Sequence, residues 1–376
     1  MVGGAHMQCS RCLNTQEKYF YQKGDTWYCR RCIAFGRQTN TDVRVVRKRS
    51  TLVSYHLDYT LTKQQEEMSN ILVQRYQQGQ STKLKAVCGA GKTEILYAVI
   101  AYALNQRARV CFAIPRRELV KELAQRITIQ FKNLDYSVVY GGHDASLDGQ
   151  FILCTCHQLY RFEKQFDLLI LDEVDAFPYD NNDTLVQIVS RSCKGNYIHM
   201  SATMEEATLS LHTRYHNFPL PIPHIYKVPH SIALGLLIKR MYRYIKQAKP
   251  VLVYVPRRED TQRVQKWLTY FHIRTAIAHA YCDDIQETIV LLKNQDIDCI
   301  ITTTILERGI TIENAQVFVM YGQHPIYDRA TLLQICGRVG RKISAPDGDI
   351  ILFTVYRTKA IKKCIQTLQS DNAYCV

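Results

Sequence analysis

Between Thr51 and Arg214 the chain sets short apolar runs against longer stretches whose apolar residues recur at helical spacing. Residues 84–87, 110–114, 151–154, 168–171 and 197–200 are the runs of strand length. Strands alternating with amphipathic helices predict a parallel sheet. A second series, at 251–255, 275–278, 299–303, 317–321 and 349–354, predicts a second lobe of the same kind. Between the two, residues 217–224 read NFPLPIPH, and their prolines sustain neither a helix nor a central strand, so this segment reads as a hinge.

The expected fold class is therefore α/β, two tandem parallel-sheet P-loop domains preceded by a small module. The expected division is a cloning remnant at 1–7 (MVGGAHM), a small module and basic linker at 8–50, a first domain at 51–216, a hinge at 217–230 and a second domain at 231–376. A length of 376 residues suits such a division. The 48 Lys and Arg against 34 Asp and Glu give a net charge of +14, which suits a polyanionic partner, although ordinary solubility explains charge equally well. No apolar run reaches the roughly 18 residues that span a bilayer, and ten scattered cysteines in mostly apolar contexts fit a reducing cytoplasm.

Residues 85–93 read KAVCGAGKT, small residues after a strand and before a helix, where backbone amides cradle phosphate. Gly89, Ala90, Gly91, Lys92, Thr93 and Glu94 are the nucleotide-binding candidates. Lys92 is placed to reach the outer phosphates and Thr93 to hold magnesium; Ala86 stands where the pattern has its first glycine. Residues 166–175 read FDLLILDEVD, an apolar strand ending in carboxylates, which suits Asp172 to magnesium and Glu173 to orienting a water; a helix cap is the plainer reading. Ser201 and Thr203 follow the next strand, where hydroxyls would sense the acidic site. Arg338 and Arg341 share a helix face if their segment is helical and would then act as arginine fingers; solvated surface arginines are the alternative.

In this order the segments resemble the helicase superfamily 2 motor core, from about Leu61 to Arg341. The resemblance implies RecA-like domains and ATP with magnesium. It makes Gln65 an adenine contact, with helix capping by Thr62 the competing reading, and adds Gly309 and Thr311 to the nucleotide set. It assigns Pro115, Arg116, Arg117, Gly141, Gly142, Thr155, His157, Arg257, Thr303 and Thr304 to the sugar-phosphate backbone of one nucleic-acid strand.

Cys9 and Cys12, then Cys29 and Cys32, form two CxxC pairs whose spacing predicts a structural zinc site with no open position for catalysis. Arginines and aromatics around them would stack single strands, or else form the core of a tiny domain. A four-cysteine module ahead of a superfamily 2 core resembles the ComFA family of competence proteins. That implies an ATPase stimulated by single-stranded DNA, cytoplasmic or peripheral at the inner face of the membrane. It would act with a ComFC-like partner, a DNA-processing protein and the membrane DNA channel. A PriA-like restart helicase is disfavoured because that family places its cysteines between motor motifs. A zinc-ribbon scaffold with a decayed motor is opposed by the intact Lys92, Asp172, Glu173, Arg338 and Arg341.

Overall fold

The computed structural model describes residues 8–9, 11–24, 26–35, 52–143, 146–175, 179, 182–279, 282, 285–304 and 312–375. The expected remnant at 1–7 and the expected basic linker, like Gly309 and Thr311, lie outside the described residues.

The chain divides into two compact units. The first takes in Met1–Lys85 and Lys92–Ser210. It opens with a hairpin, β1 (Phe20–Lys23) antiparallel to β2 (Thr26–Cys29), which brings the two cysteine pairs together. There follow β3 (Ser54–Tyr55), α1 (Lys63–Gln77), β4 (Thr82–Ala86), α2 (Tyr97–Asn105), β5 (Val110–Ile114) and α3 (Arg117–Gln130). Next come β6 (Phe131–Lys132), β7 (Tyr136–Val139), β8 (Phe151–Thr155), β9 (Phe166–Leu171), α4 (Asp183–Ser192), β10 (Cys193–Ser201) and β11 (Leu209–Leu211).

The main sheet runs β11-β4-β10-β9-β5-β8-β7, and every pairing from β4 to β7 is parallel. Strands β5 and β8 are buried at every position because helices cover both faces of such a sheet. One strand extends beyond its apolar core: β10 begins at Cys193, with an irregularity before Asn196. Gly195 is required there, since a Cβ would lie 2.2 Å from the Asp167 carbonyl oxygen. α1 starts at a capping box, Thr62 Oγ1 accepting from the Gln65 amide and Gln65 Oε1 from the Thr62 amide, so Thr62 does cap the helix.

The second unit takes in Leu211–Val376 together with the turn Ala86–Gly91. Its elements are β12 (His224–Lys227), α5 (His230–Lys246), β13 (Val251–Tyr254), α6 (Arg258–Tyr270), β14 (Thr275–Ala278) and α7 (Ile285–Lys293). They continue with β15 (Cys299–Thr302), β16 (Gln316–Val319), α8 (Arg329–Cys336), β17 (Ile350–Thr354) and α9 (Lys359–Asn372). The sheet runs β12-β17-β16-β13-β15-β14, parallel throughout. β12 directly follows the three prolines and is an edge strand, the one place in a sheet that tolerates such a neighbour.

α5 packs Ala233, Leu237, Ile238, Met241 and Tyr244 against Val251, Val253, Phe318 and Phe353. Leu237 is wholly buried in this cluster. Leu237→Ala should therefore destabilise the second unit by about 3 kcal/mol, seen as a lower urea midpoint.

Candidate active site

Parallel pairing sets the carboxyl ends of β4, β10 and β9 side by side, and ligands of open α/β sheets bind at such ends. After β4 comes the phosphate-loop sequence, with Gly89 at φ +84° and Gly91 at φ +75°, a left-handed backbone that glycine takes at no Cβ cost, and with the Ala90 amide donating to the Val87 carbonyl at 3.1 Å. Lys92 follows, and its Nζ lies 3.6 Å from Oδ1 of Asp172 beyond β9. Both side chains are under one-fifth exposed, so a carboxylate and an ammonium face each other in a weakly hydrated site.

The Asp172 amide still donates to the Ala113 carbonyl, 3.1 Å away, which holds the strand end in its ladder. The Glu173 amide donates to Asp172 Oδ1 at 2.8 Å, and the Val174 amide to the Met200 carbonyl at 3.2 Å. Glu173 itself sits at φ +56°, a left-handed backbone that a glutamate adopts only when its neighbours fix it.

Ser201 ends β10 and Thr203 lies two residues beyond it, and both are buried. The Thr203 amide donates to Ser201 Oγ at 2.9 Å and the Thr203 hydroxyl to Asp175 Oδ2. The two hydroxyls thus join the acidic strand end to its neighbour. The oxygen donors here, Asp172 and Thr93, are of the kind magnesium takes.

Two residues around Glu94 carry no sequence signal. Its Oε1 accepts from Arg126 and from the Tyr59 hydroxyl at 3.3 Å. Burial, then the Glu94 carboxylate, pushes the Tyr59 phenol up to about 12. A lone tyrosine and a mid-helix arginine reveal such a contact only once the chain is folded.

The remaining strand ends carry the candidate nucleic-acid contacts. β5, β8 and β7 are adjacent: Pro115, Arg116 and Arg117 follow β5, Thr155 ends β8 with His157 just after it, and the exposed turn of Gly141 and Gly142 follows β7. Burial lowers the His157 pKa, favouring the neutral imidazole. In the second unit β13 and β15 are adjacent, with Arg257 exposed at the start of α6 and Thr303 and Thr304 following β15.

Arg338 and Arg341 do not share a helix face. α8 stops at Cys336, capped by Gly337, and both arginines lie on the following turn, where Gly340 takes φ +66°. Arg338 is not a solvated surface residue, being 2% exposed, and Arg341 Nε donates to the Gly337 carbonyl at 2.7 Å.

The sulfurs of Cys9, Cys12, Cys29 and Cys32 all lie within 4.8 Å of one another. Cys9 to Cys32 is 3.6 Å and Cys12 to Cys29 is 3.8 Å. A tetrahedral site with metal–sulfur bonds of about 2.3 Å has edges of about 3.8 Å, so the four thiols fit zinc. The Cys32 thiol, bonding to Cys9, draws the Cys9 pKa down to about 4.

Residues 58–206 match the family described as type III restriction enzyme, res subunit, and residues 236–342 match the helicase conserved C-terminal domain. Competence protein ComFA of Bacillus subtilis (strain 168) is 34% identical over 385 residues, spanning 94% of this chain and 83% of its own. The chain belongs to the ComFA family. Competence protein ComFA of Streptococcus pneumoniae (strain ATCC BAA-255 / R6) is 31% identical, spanning 97% of this chain and 90% of its own.

As a ComFA-family chain with both helicase domains, it is a competence-related superfamily 2 helicase dependent on ATP. Its two RecA-like units have the fold of S. cerevisiae Dbp5, solved with RNA and ADP BeF3, at TM-score 0.58 and 14% identity over 83% of this chain and 92% of that one. They also resemble the helicase Lhr of Mycobacterium smegmatis, at TM-score 0.57 and 16% identity over 83% of this chain and 50% of that one. Among the described residues no helix is long and apolar enough to cross a membrane.

Thr203→Val keeps the shape of the side chain but removes the hydroxyl that Asp175 accepts. A bond to a charged group predicts a stability loss of about 2 kcal/mol, measurable by chemical denaturation.

Proposed function

We propose that this ComFA-family chain is a translocase driven by ATP and stimulated by single-stranded DNA, and that it draws transforming DNA inward during natural competence. The observation that carries the reading is the approach of Lys92 to Asp172 at the carboxyl ends of adjacent strands, a charge pair suited to a nucleotide's phosphates. Gln65 contacts the adenine, and the amides of Gly89 to Glu94 cradle the phosphates, with Lys92 on the outermost. Gly309 and Thr311 complete the nucleotide set.

Thr93 and Asp172 hold magnesium, which supplies charge neutralisation on the phosphates when bound. Glu173 orients the attacking water, Arg338 and Arg341 stabilise charge on the transferring phosphate, and Ser201 and Thr203 relay the state of the site. Pro115, Arg116, Arg117, Gly141, Gly142, Thr155, His157, Arg257, Thr303 and Thr304 grip the sugar-phosphate backbone. Opening and closing of the two RecA-like units with each cycle then advances the strand.

The zinc module is structural, and the protein works at the inner face of the membrane with a ComFC-like partner, a DNA-processing protein and the DNA channel. A charge of +14 favours such a polyanionic substrate.

ATP hydrolysis with and without single-stranded DNA tests this directly. Wild type should be stimulated and Lys92→Ala inactive; absence of stimulation, or activity surviving in Lys92→Ala, sinks the reading. Affinity for DNA should fall steeply with salt and show little base preference. Metal analysis should find about one zinc per chain, lost in Cys9→Ala or Cys32→Ala together with the fold of the first module.

A further inference from the structure

Arg214, between β11 and the proline-rich segment, is the largest fully buried side chain among the described residues, only 1% exposed. No motif assigned above includes it. Its guanidinium donates from Nη1 to the Gly340 carbonyl at 2.6 Å and from Nη2 to the Val339 carbonyl at 2.8 Å. Burial draws its pKa down only to about 10, so it stays charged at neutral pH. Sequestering that charge is costly, and sites that keep one this way are often functional.

The two residues that follow bond to the same turn. The His216 ring nitrogen Nε2 meets the Gly340 carbonyl at 3.0 Å, and the Tyr215 hydroxyl donates to the Arg341 carbonyl at 3.2 Å while accepting from the Ile343 amide at 3.1 Å. On the other side the Tyr215 amide donates to the Gly89 carbonyl at 3.1 Å, and the Arg214 stem lies 3.6 Å from where a Gly89 Cβ would be. Just upstream, the Val87 amide donates to the Leu211 carbonyl at 3.1 Å.

A single stretch of chain, 211–216, is therefore bonded through its main chain to the phosphate-loop turn and through its side chains to the turn carrying Arg338 and Arg341. All of these residues belong to the second compact unit. Direct packing reinforces the pairing: Cys88 Sγ donates to Gln334 Oε1 at 3.4 Å, and a Cβ on Gly337 would lie 2.4 Å from that of Cys88.

We propose that Arg214 is a positioning residue for ATP hydrolysis, holding the Val339–Gly340 carbonyls so that Arg341 is registered against the phosphate loop. It touches no reacting atom; it fixes the main chain from which Arg341 projects. The proposal rests on the ATPase reading above. Misplacing a catalytic group by about 1 Å costs up to about 100-fold in rate, so the effect should fall on turnover and spare binding.

The test is steady-state ATP hydrolysis at saturating single-stranded DNA, with DNA affinity and melting temperature measured on the same full-length proteins. Arg214→Met should lower kcat about 10- to 100-fold, with KM for ATP and Kd for DNA within about twofold of wild type. Arg214→Lys, which keeps a donor, should recover part of the loss. Tyr215→Phe removes only a hydroxyl from a partly exposed ring, keeps the fold, and should lower kcat a few-fold.

Combining Arg214→Met with Arg341→Lys should cost little beyond Arg341→Lys alone, because both act through one group. Wild-type kcat in Tyr215→Phe and in every Arg214 variant that folds would overturn the proposal. So would a parallel fall of kcat, DNA affinity and melting temperature, or full additivity with Arg341→Lys. A wild-type protein that does not hydrolyse ATP would overturn the ATPase reading itself, and this assignment with it.

Discussion

The parallel ladder joining β4, β10 and β9 is the constraint on which the rest depends. In a parallel sheet every strand leaves at the same edge, so residues far apart in sequence end up side by side. Lys92 and Asp172 meet for this reason. Without the ladder the ammonium and carboxylate would be separately solvated. With it they stand 3.6 Å apart in a site that water reaches poorly, where charge acts strongly. The same logic places Arg116, Thr155 and Gly141 at a second group of neighbouring ends, and Arg257 and Thr303 at a third.

What the sequence reveals follows from what burial demands. Residues 110–114 are legible as a strand to the residue, because a doubly covered strand must be apolar along its length. The first three residues of β10 are not, since Lys194 and Gly195 are exposed and fall at the strand's irregularity, leaving no hydrophobic run to mark it. β12 is obscured by the prolines before it, whose effect on a strand depends on whether it lies at an edge, which only topology decides. The helix expected to carry Arg338 and Arg341 ends early, at Cys336, with Gly337 as its cap and Gly340 at positive φ beyond it.

The site residues differ in legibility for a related reason. Lys92 and Asp172 sit directly after strands, so local pattern places them. Arg214 follows a three-residue strand and precedes prolines; in sequence it reads as one more basic loop residue. Its burial comes from elements 120 or more residues away, and no local periodicity encodes that. The cysteine module is the opposite case: too small for an apolar core, it announces itself through side chains alone.

Glu173 shows how little of the acidic site is entrusted to side-chain packing. Its left-handed backbone, disfavoured by about 1 kcal/mol, is imposed by main-chain bonds to β5 and β10 on the residues either side of it. The peptide path at such a corner is held by the main chain of its neighbours as well as by side chains. That is a physical route by which chains only 14% and 16% identical to this one, Dbp5 and Lhr, keep a common architecture.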